Sequence, residues 1–305
     1  MIKTILRIFG VLLMTVAVGG SLLLVLQTVM AVNISSSVIV GNAAPTVSAV
    51  SINGGNPITL TANATTSVVV NFTVTDNNGC SDVFMGGNTT TTSYRSGVGG
   101  SCTASNLNCY TVTSVTNNCA GGNNANATAT FEIYYFANAT DASSSYSAQN
   151  WLAQVYARDA SSATGTATST GVELNTLTAI NVTTSSINYG TLAAGSNTGA
   201  TNQVATSTNA GNSSTTLQLS SSQTLTSGSN TIATSSQHYA TSTFSFGGSE
   251  AQLSGTPTTV TGFSLTSPTS TNAVSQAVFW GLEIPGGTAT GTYSGVNVFS
   301  SLFQP

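Results

Sequence analysis

Alternation of apolar and polar residues is the feature that most constrains the fold of this 305-residue chain. Residues 66–75 place Val68, Val70, Phe72 and Val74 on one face, with Ser, Thr and Asn between them. Successive side chains of a strand point to opposite faces, so this period of two predicts a half-buried β-strand. The turn sequence Asp-Asn-Asn-Gly follows it directly.

Similar short segments recur along the chain, separated by clusters of turn residues. We predict further strands at residues 127–136, 151–159, 165–174, 180–187, 202–207, 215–219, 239–246, 260–265 and 277–284. We also expect the last of these to form a closing hairpin with residues 296–299. Short strands without a helical period predict an all-β fold of antiparallel Ig-like β-sandwiches.

The composition divides the chain into four parts. Residues 179–305 contain no Lys, Arg or Cys, whereas all four cysteines lie before them. The length of chain that follows residue 32 suits two domains of about 100–150 residues each. We predict a signal peptide or N-terminal membrane anchor helix at 1–32, a linker at 33–44, an Ig-like β-sandwich with four cysteines at 45–176, and a second β-sandwich at 177–305.

The N-terminus has the pattern of an export signal. Lys3 and Arg7 precede an uncharged run at residues 8–32, and residues 29–31 offer a small-residue cleavage site. The run is longer than the usual signal core of about 7–15 residues and long enough to span a bilayer as a helix. Cleavage and retention as a membrane tether both stay open. Either one predicts an extracellular or cell-surface location.

Charge is scarce throughout. Charged residues make up 4% of the chain, against about 25% in ordinary soluble domains. Beyond the leader, Arg95 and Arg158 stand against eight acids, which gives two minus eight, or −6. No basic cluster is available to neutralise phosphates, so nucleic acid is excluded as a partner. We expect Ser, Thr, Asn and Gly to keep the surface polar.

The cysteines fall within one 40-residue stretch, at Cys80, Cys102, Cys109 and Cys119. An even number in an exported chain predicts two disulfides, with three connectivities that the sequence does not distinguish. A zinc site is the alternative. The stretch has no C-x-x-C pair and the one histidine, His238, is distant, so we favour disulfides.

A calcium site is the one cofactor hypothesis that the sequence supports. Asp76 and Asp82 crowd one turn, and calcium takes six to eight oxygen ligands. Asp141, Asp159 and Glu173 lie in or near other loops predicted at the ends of the sheets. The alternative is that Asp and Asn simply favour turns through hydrogen bonds to their own backbone.

Catalytic patterns are weak. There is no G-x-S-x-G turn to present a nucleophile, and His238 fits an ordinary strand or loop residue. A glycosidase needs two carboxylates across a cleft, but the sequence gives no reason to pair any two. We therefore predict that the protein is not an enzyme.

Two stretches carry a resemblance to a known class. Residues 44–47, the strand ending at 75–76 and residues 151–159 resemble the Ig-like, cadherin-like modules of prokaryotic secreted and cell-surface proteins. The motif Trp-Gly-x-x-Ile-Pro at 280–285, followed by Gly-Thr-Tyr-Ser-Gly at 291–295, resembles the last hairpin of secreted bacterial β-sandwiches. The resemblance implies a fold and a location and brings no catalytic residues with it.

Together these features predict an exported structural or adhesive protein of the cell surface that acts by binding or assembly. Its expected partners are other surface proteins, glycans or copies of itself, and the membrane through residues 8–32 if the leader is uncleaved. The alternative is a subunit of a surface layer or pilus-like filament. A more remote one is a secreted carbohydrate-active enzyme or its binding module.

Overall fold

The computed structural model describes residues 34–304, and this part of the chain is almost entirely β. Its one α-helix is the short α1 (Cys80–Phe84), and 3-10 turns lie at Asn53–Gly55 and Thr234–Ser236. The predicted leader at 1–32 lies outside the described residues. Among residues 34–304 no helix has the length and apolar character needed to cross a membrane. Residues 34–41 have no regular structure and lie outside the compact unit Asn42–Pro305.

The first half of that unit, residues 45–177, forms two four-stranded antiparallel sheets. Their orders are β1-β2-β6-β5 and β4-β3-β7-β8. The strands are β1 (Thr46–Ile52), β2 (Thr65–Thr75), β3 (Asn88–Arg95), β4 (Cys109–Val112), β5 (Thr116–Asn117), β6 (Asn124–Tyr134), β7 (Trp151–Arg158) and β8 (Thr164–Thr168).

Alternation along the strands builds the core of the first half. The predicted apolar face of β2 is buried, and every second residue of β7 from Trp151 to Ala157 is fully buried. These side chains belong to one apolar cluster with alternate residues of β6. The indole Nε1 of Trp151 donates to the carbonyl of Asn138 at 2.9 Å, which satisfies its polar end inside the core.

The second half, residues 178–304, is also built from two antiparallel sheets. One has the order β14-β13-β16-β10-β9, and in the other β11 pairs with β12, β15 and β17. The strands are β9 (Ile180–Val182), β10 (Gln203–Asn209), β11 (Thr215–Ser227), β12 (Asn230–Ile232), β13 (Gln237–Ala240), β14 (Ala251–Gln252), β15 (Thr258–Thr259), β16 (Ser275–Leu282) and β17 (Ser294–Phe303).

The predicted closing hairpin is wrong. β16 lies between β10 and β13, whereas β17 pairs with β11 in the other sheet. The connection at residues 283–293 is longer than the two to five residues of ordinary hairpins, and it carries the chain from one sheet to the other. Consequently the rings of Trp280 and Phe299 contact each other from opposite sheets, with centroids 5.8 Å apart.

One buried amide joins the two halves. Asn212 donates from Nδ2 to the carbonyls of Ala137 and Asn175, at 3.0 and 3.2 Å, and accepts the N–H of Leu177 at 2.6 Å. Leu177 packs against the core of the first half and Ile180 against that of the second. The domain boundary at 176/177 stays a prediction, although the core changes beside it.

The two expected disulfides are present. Cys80 is bonded to Cys119, and Cys102 to Cys109. This pairing selects one of the three connectivities that the sequence left open. It also removes the zinc alternative, because all four thiols are used.

Candidate metal centre

Three aspartates meet at one end of the first half. Asp76 directly follows β2, Asp82 lies in α1, and Asp159 directly follows β7. One carboxylate oxygen from each lies within 4.8 Å of the other two. Asp76 and Asp159 are buried and Asp82 is half-buried. The chain therefore places three hard oxygen donors around one small volume.

Several carboxylate oxygens are already held by the protein. Asp76 Oδ1 accepts the N–H of Asn78 at 2.8 Å, and Asp159 Oδ1 accepts the N–H of Ala163 at the same distance. Asp159 Oδ2 accepts from Asn42 Nδ2, also at 2.8 Å. These bonds fix the orientation of both carboxylates, as the supporting shell of a metal site does.

One carboxylate oxygen of the centre lacks such a hydrogen bond. Asp76 Oδ2 is buried and has no hydrogen-bond partner among the described residues. Within residues 34–304, no Arg or His nitrogen forms an ion pair with any of the three aspartates. Like charges at this separation repel, and a buried carboxylate without a partner is costly. A bound cation removes both costs, so the geometry favours a site for a hard metal ion.

The local sequence explains how these loops approach so closely. Gly79, with φ at 111°, reverses the chain before α1 in a conformation that other residues rarely adopt. At Gly87 a Cβ atom would lie 1.8 Å from the carbonyl oxygen of Arg158, so only glycine permits the packing of this loop on the end of β7. The Cys80–Cys119 disulfide anchors the first residue of α1.

The start of the folded unit also reaches the centre. Besides the bond from Asn42 to Asp159, the N–H of Ala43 donates to Asn78 Oδ1 at 2.7 Å. The aspartate centre thus ties together four segments that are distant in sequence: residues 42–43, 76–78, 82 and 159–163.

The sequence prediction of Asp76 and Asp82 as neighbours agrees with this geometry, but it did not place Asp159 with them. A signal for Asp159 was available, because two long buried strands, β2 and β7, each end at a residue followed at once by aspartate. Asp141 lies elsewhere, where its carboxylate accepts the backbone N–H and the hydroxyl of Thr176 at 2.8 and 2.6 Å. Glu173 is exposed and lies outside the cluster.

The single histidine belongs to a different contact. His238 Nδ1 lies 3.2 Å from Glu250 Oε1, and the imidazole ring packs on Phe246 with centroids 4.3 Å apart. The side chain of Glu250 is almost completely buried. Desolvation acts to raise the pKa of Glu250, but the backbone N–H groups of Glu250 and Gly247, together with His238, outweigh it and lower this pKa.

No protein family model and no curated protein match the chain. Among solved structures, the crystal structure of dimeric latent PorU from Porphyromonas gingivalis is similar at a TM-score of 0.25 and 12% identity. The match covers 81% of this chain and 24% of that chain, so the present chain spans about a quarter of the length of PorU. A likeness at this level carries no argument about fold or function.

Proposed function

We propose that the protein is an exported cell-surface β-sandwich protein with a structural or adhesive role, which acts by binding or assembly rather than by catalysis. The aspartate centre is the observation that carries the proposal: its buried Asp76 Oδ2 has no partner within residues 34–304, and a cation from outside the chain would supply one. Calcium suits an all-oxygen set, and extracellular calcium modules bind it at about 10⁻⁴–10⁻³ M. Calcium would stiffen the loops at this end of the first sandwich.

Two further observations support an extracellular role. Both cysteine pairs form disulfides, which persist in oxidising compartments. The scarcity of charge leaves the surface to small polar side chains, which suits packing against other surface molecules.

The calcium test uses Asp76→Asn, which is close in shape but removes one charge. With calcium at about twenty times its dissociation constant, we expect the native chain to gain about 2 kcal/mol of unfolding free energy over a sample in EGTA. Asp76→Asn should lose this gain. In EGTA it should match or exceed the native chain in stability, because one repelling charge is gone. Denaturant titrations with and without calcium measure both effects.

Glu173→Gln is the matched control, since it removes one exposed carboxylate from the same half outside the centre. Its calcium response should equal that of the native chain. A native chain whose stability ignores calcium would overturn the metal site, and so would an Asp76→Asn variant that is destabilised equally in both conditions.

Export is tested by the intact mass of the native protein, taken before and after unfolding and reduction. A mass lacking residues 1–31 supports a cleaved signal, and a full-length mass in the membrane fraction supports an anchor. Both results agree with the proposed location. Recovery of the protein from the cytosol with four free thiols would contradict it.

A further inference from the structure

The strand β17 has one unused edge. It pairs with β11 along its length, and no second strand pairs with it within residues 34–304. With ten residues it is the longest edge strand of the described chain, and it contains no charge and no proline. The other edge strands are shorter, and β1 also breaks register between Ser48 and Ser51. Proteins normally protect edges of this kind, because they accept further strands.

The ladder shows which backbone groups face the unused edge. Thr215 exchanges hydrogen bonds with Leu265, on the side of β11 away from β17. Phe303 is the partner of Thr215 in the β11–β17 ladder, so its own N–H and C=O must point away from β11. Alternation along the strand extends this to every second residue: Asn297, Phe299 and Ser301.

The outer face of the same strand is mostly apolar. Val296 is 47% exposed and Leu302 is 42% exposed, and Val298 and Ser300 lie between them on that face. Phe299, on the other face, packs on Trp280 in the core. The edge therefore offers unused hydrogen-bonding groups beside apolar side chains that water contacts.

A second exposed element has the complementary character. Residues 34–40, with the sequence Ile-Ser-Ser-Ser-Val-Ile-Val, carry no charge and form no strand. Ile34, Val38 and Val40 are 87%, 85% and 78% exposed, and Ile39 is 96% exposed. In an extended conformation Ile34, Ser36, Val38 and Val40 share one face, and Ser35, Ser37 and Ile39 share the other. Residues 38–40 are an exposed run of three β-branched residues, a residue type that strands favour.

We propose that β17 of one copy accepts residues 34–40 of a second copy as an added strand. The two elements fit in length, because seven residues match the regular part of the ladder from Asn297 to Phe303. Both are uncharged, so no charge is desolvated on pairing. Addition of a strand supplies main-chain hydrogen bonds, and the apolar side chains of the segment supply packing. Each copy carries one donor and one acceptor, so such a contact is head-to-tail and can repeat.

This inference rests on the proposed function as an assembling surface protein, and it names the partner and the surface. It accounts for two features that the calcium site leaves without a role: an exposed apolar segment and a long edge strand with no second strand paired to it within residues 34–304. The proposed strand addition does not involve calcium, so the association measurements are made both in calcium and in EGTA. Loss of the calcium response then overturns the metal site alone.

The edge is tested on the full-length chain by Ser301→Pro against Ser301→Ala. Both substitutions remove the hydroxyl that donates to the Thr178 carbonyl, but only proline removes an N–H that faces the unused edge. We expect concentration-dependent oligomers of the native chain in sedimentation velocity. Ser301→Pro should raise the dissociation constant at least about tenfold relative to Ser301→Ala, while tryptophan fluorescence confirms that both variants fold.

The donor segment is tested by Val38→Asp against Ser37→Asp, which add the same charge on opposite faces of the segment. We expect Val38→Asp to block association and Ser37→Asp to permit it. Hydrogen exchange should show slow amides at Phe299 and Ser301 in the native oligomer and fast ones in Val38→Asp. A native chain that is monomeric at all concentrations would overturn the proposal, as would oligomers unaffected by Ser301→Pro and Val38→Asp.

Discussion

The two halves of the folded unit reach the same architecture with different stabilising devices. The first half contains both disulfides, the aspartate centre and both arginines of the described chain. The second half contains no cysteine, no Lys and no Arg, and its acids are Glu250 and Glu283. Strand alternation builds an apolar core in each half. The disulfides and the aspartate centre of the first half therefore add to a core that both halves have.

In the second half, buried amides take the place of covalent links. Asn209 is almost fully buried, and its Nδ2 donates to the carbonyls of Ser213 and Thr266 at 2.8 and 3.0 Å. Its Oδ1 accepts the N–H of Gly211 at 2.9 Å. One side chain thus satisfies the backbone of the turn between β10 and β11.

Each device acts on a connection of a different length. In the first half, residues 96–123 contain little regular structure, and a disulfide limits the freedom of such loops in the unfolded chain. In the second half, β10 and β11 are separated by only five residues, which one asparagine can organise. A chain with so few charges cannot rely on ion pairs to hold either the loops of the first half or the turn between β10 and β11.

The largest expected effect comes from removing the Cys80–Cys119 disulfide. Its sequence separation of 39 predicts a loss of about 4 kcal/mol for Cys80→Ala with Cys119→Ala. The separation of 7 predicts only about 2 kcal/mol for the Cys102–Cys109 pair. Both losses should fall on the first half. Each half contains one tryptophan, so Trp151 fluorescence in a Trp280→Phe background reports the first half in denaturant titrations.

The same double variants in a Trp151→Phe background provide the control, because Trp280 then reports the second half. Its transition should move by much less than that of Trp151. Equal shifts of both transitions would mean that the halves unfold as one unit, and the comparison between them would then fail as an account of stability.

A smaller effect is expected from Asn209→Ala. The substitution leaves the carbonyls of Ser213 and Thr266 and the N–H of Gly211 without this partner, and we expect a loss of about 2–3 kcal/mol, reported by Trp280. Asn272→Ala, at an exposed asparagine of the same half, should change stability by less than about 0.5 kcal/mol. A loss shared equally by the Trp151 transition would place the amide in a common network rather than in the second half.

Much of the fold could be predicted from the sequence where the signal is local. The buried face of β2, the buried face of β7 and the burial of Val278, Trp280, Leu282 and Ile284 all follow from alternation within one strand. Asp76 and Asp82 lie six residues apart, so their proximity also needed only a local argument.

Features that depend on contacts between distant parts of the chain could not be predicted. Asp159 joins Asp76 only because β2 and β7 end on the same side of the sandwich, and this depends on packing between sheets. The cysteine pairing depends on where the loop at 118–123 lies, since Gly122 accepts the N–H of Cys80 and Asn123 that of Asp76. The hairpin prediction was wrong because adjacency in sequence was taken for adjacency in a sheet.

The smallest expected effect concerns the contact between Glu250 and His238 in the second half. The pKa of Glu250 is lowered in the folded chain, so the ionised form stabilises the fold at pH above the ordinary glutamate pKa of about 4.3. That stability is lost as the pH falls through the lowered folded pKa. We expect Glu250→Gln to cost at most about 1 kcal/mol near neutral pH and to remove this part of the acid sensitivity.

Trp280 fluorescence in denaturant, measured from about pH 6 down to about pH 3, tests this, with Glu283→Gln as the control at the other, exposed acid of the same half. Glu283→Gln should leave the acid sensitivity of the native chain in place. Trp151, which reports the first half, should keep the same pH profile in Glu250→Gln as in the native chain. Identical profiles for both tryptophans, unchanged by Glu250→Gln, would show that acid acts on the two halves through one shared transition and that the His238–Glu250 contact contributes nothing measurable.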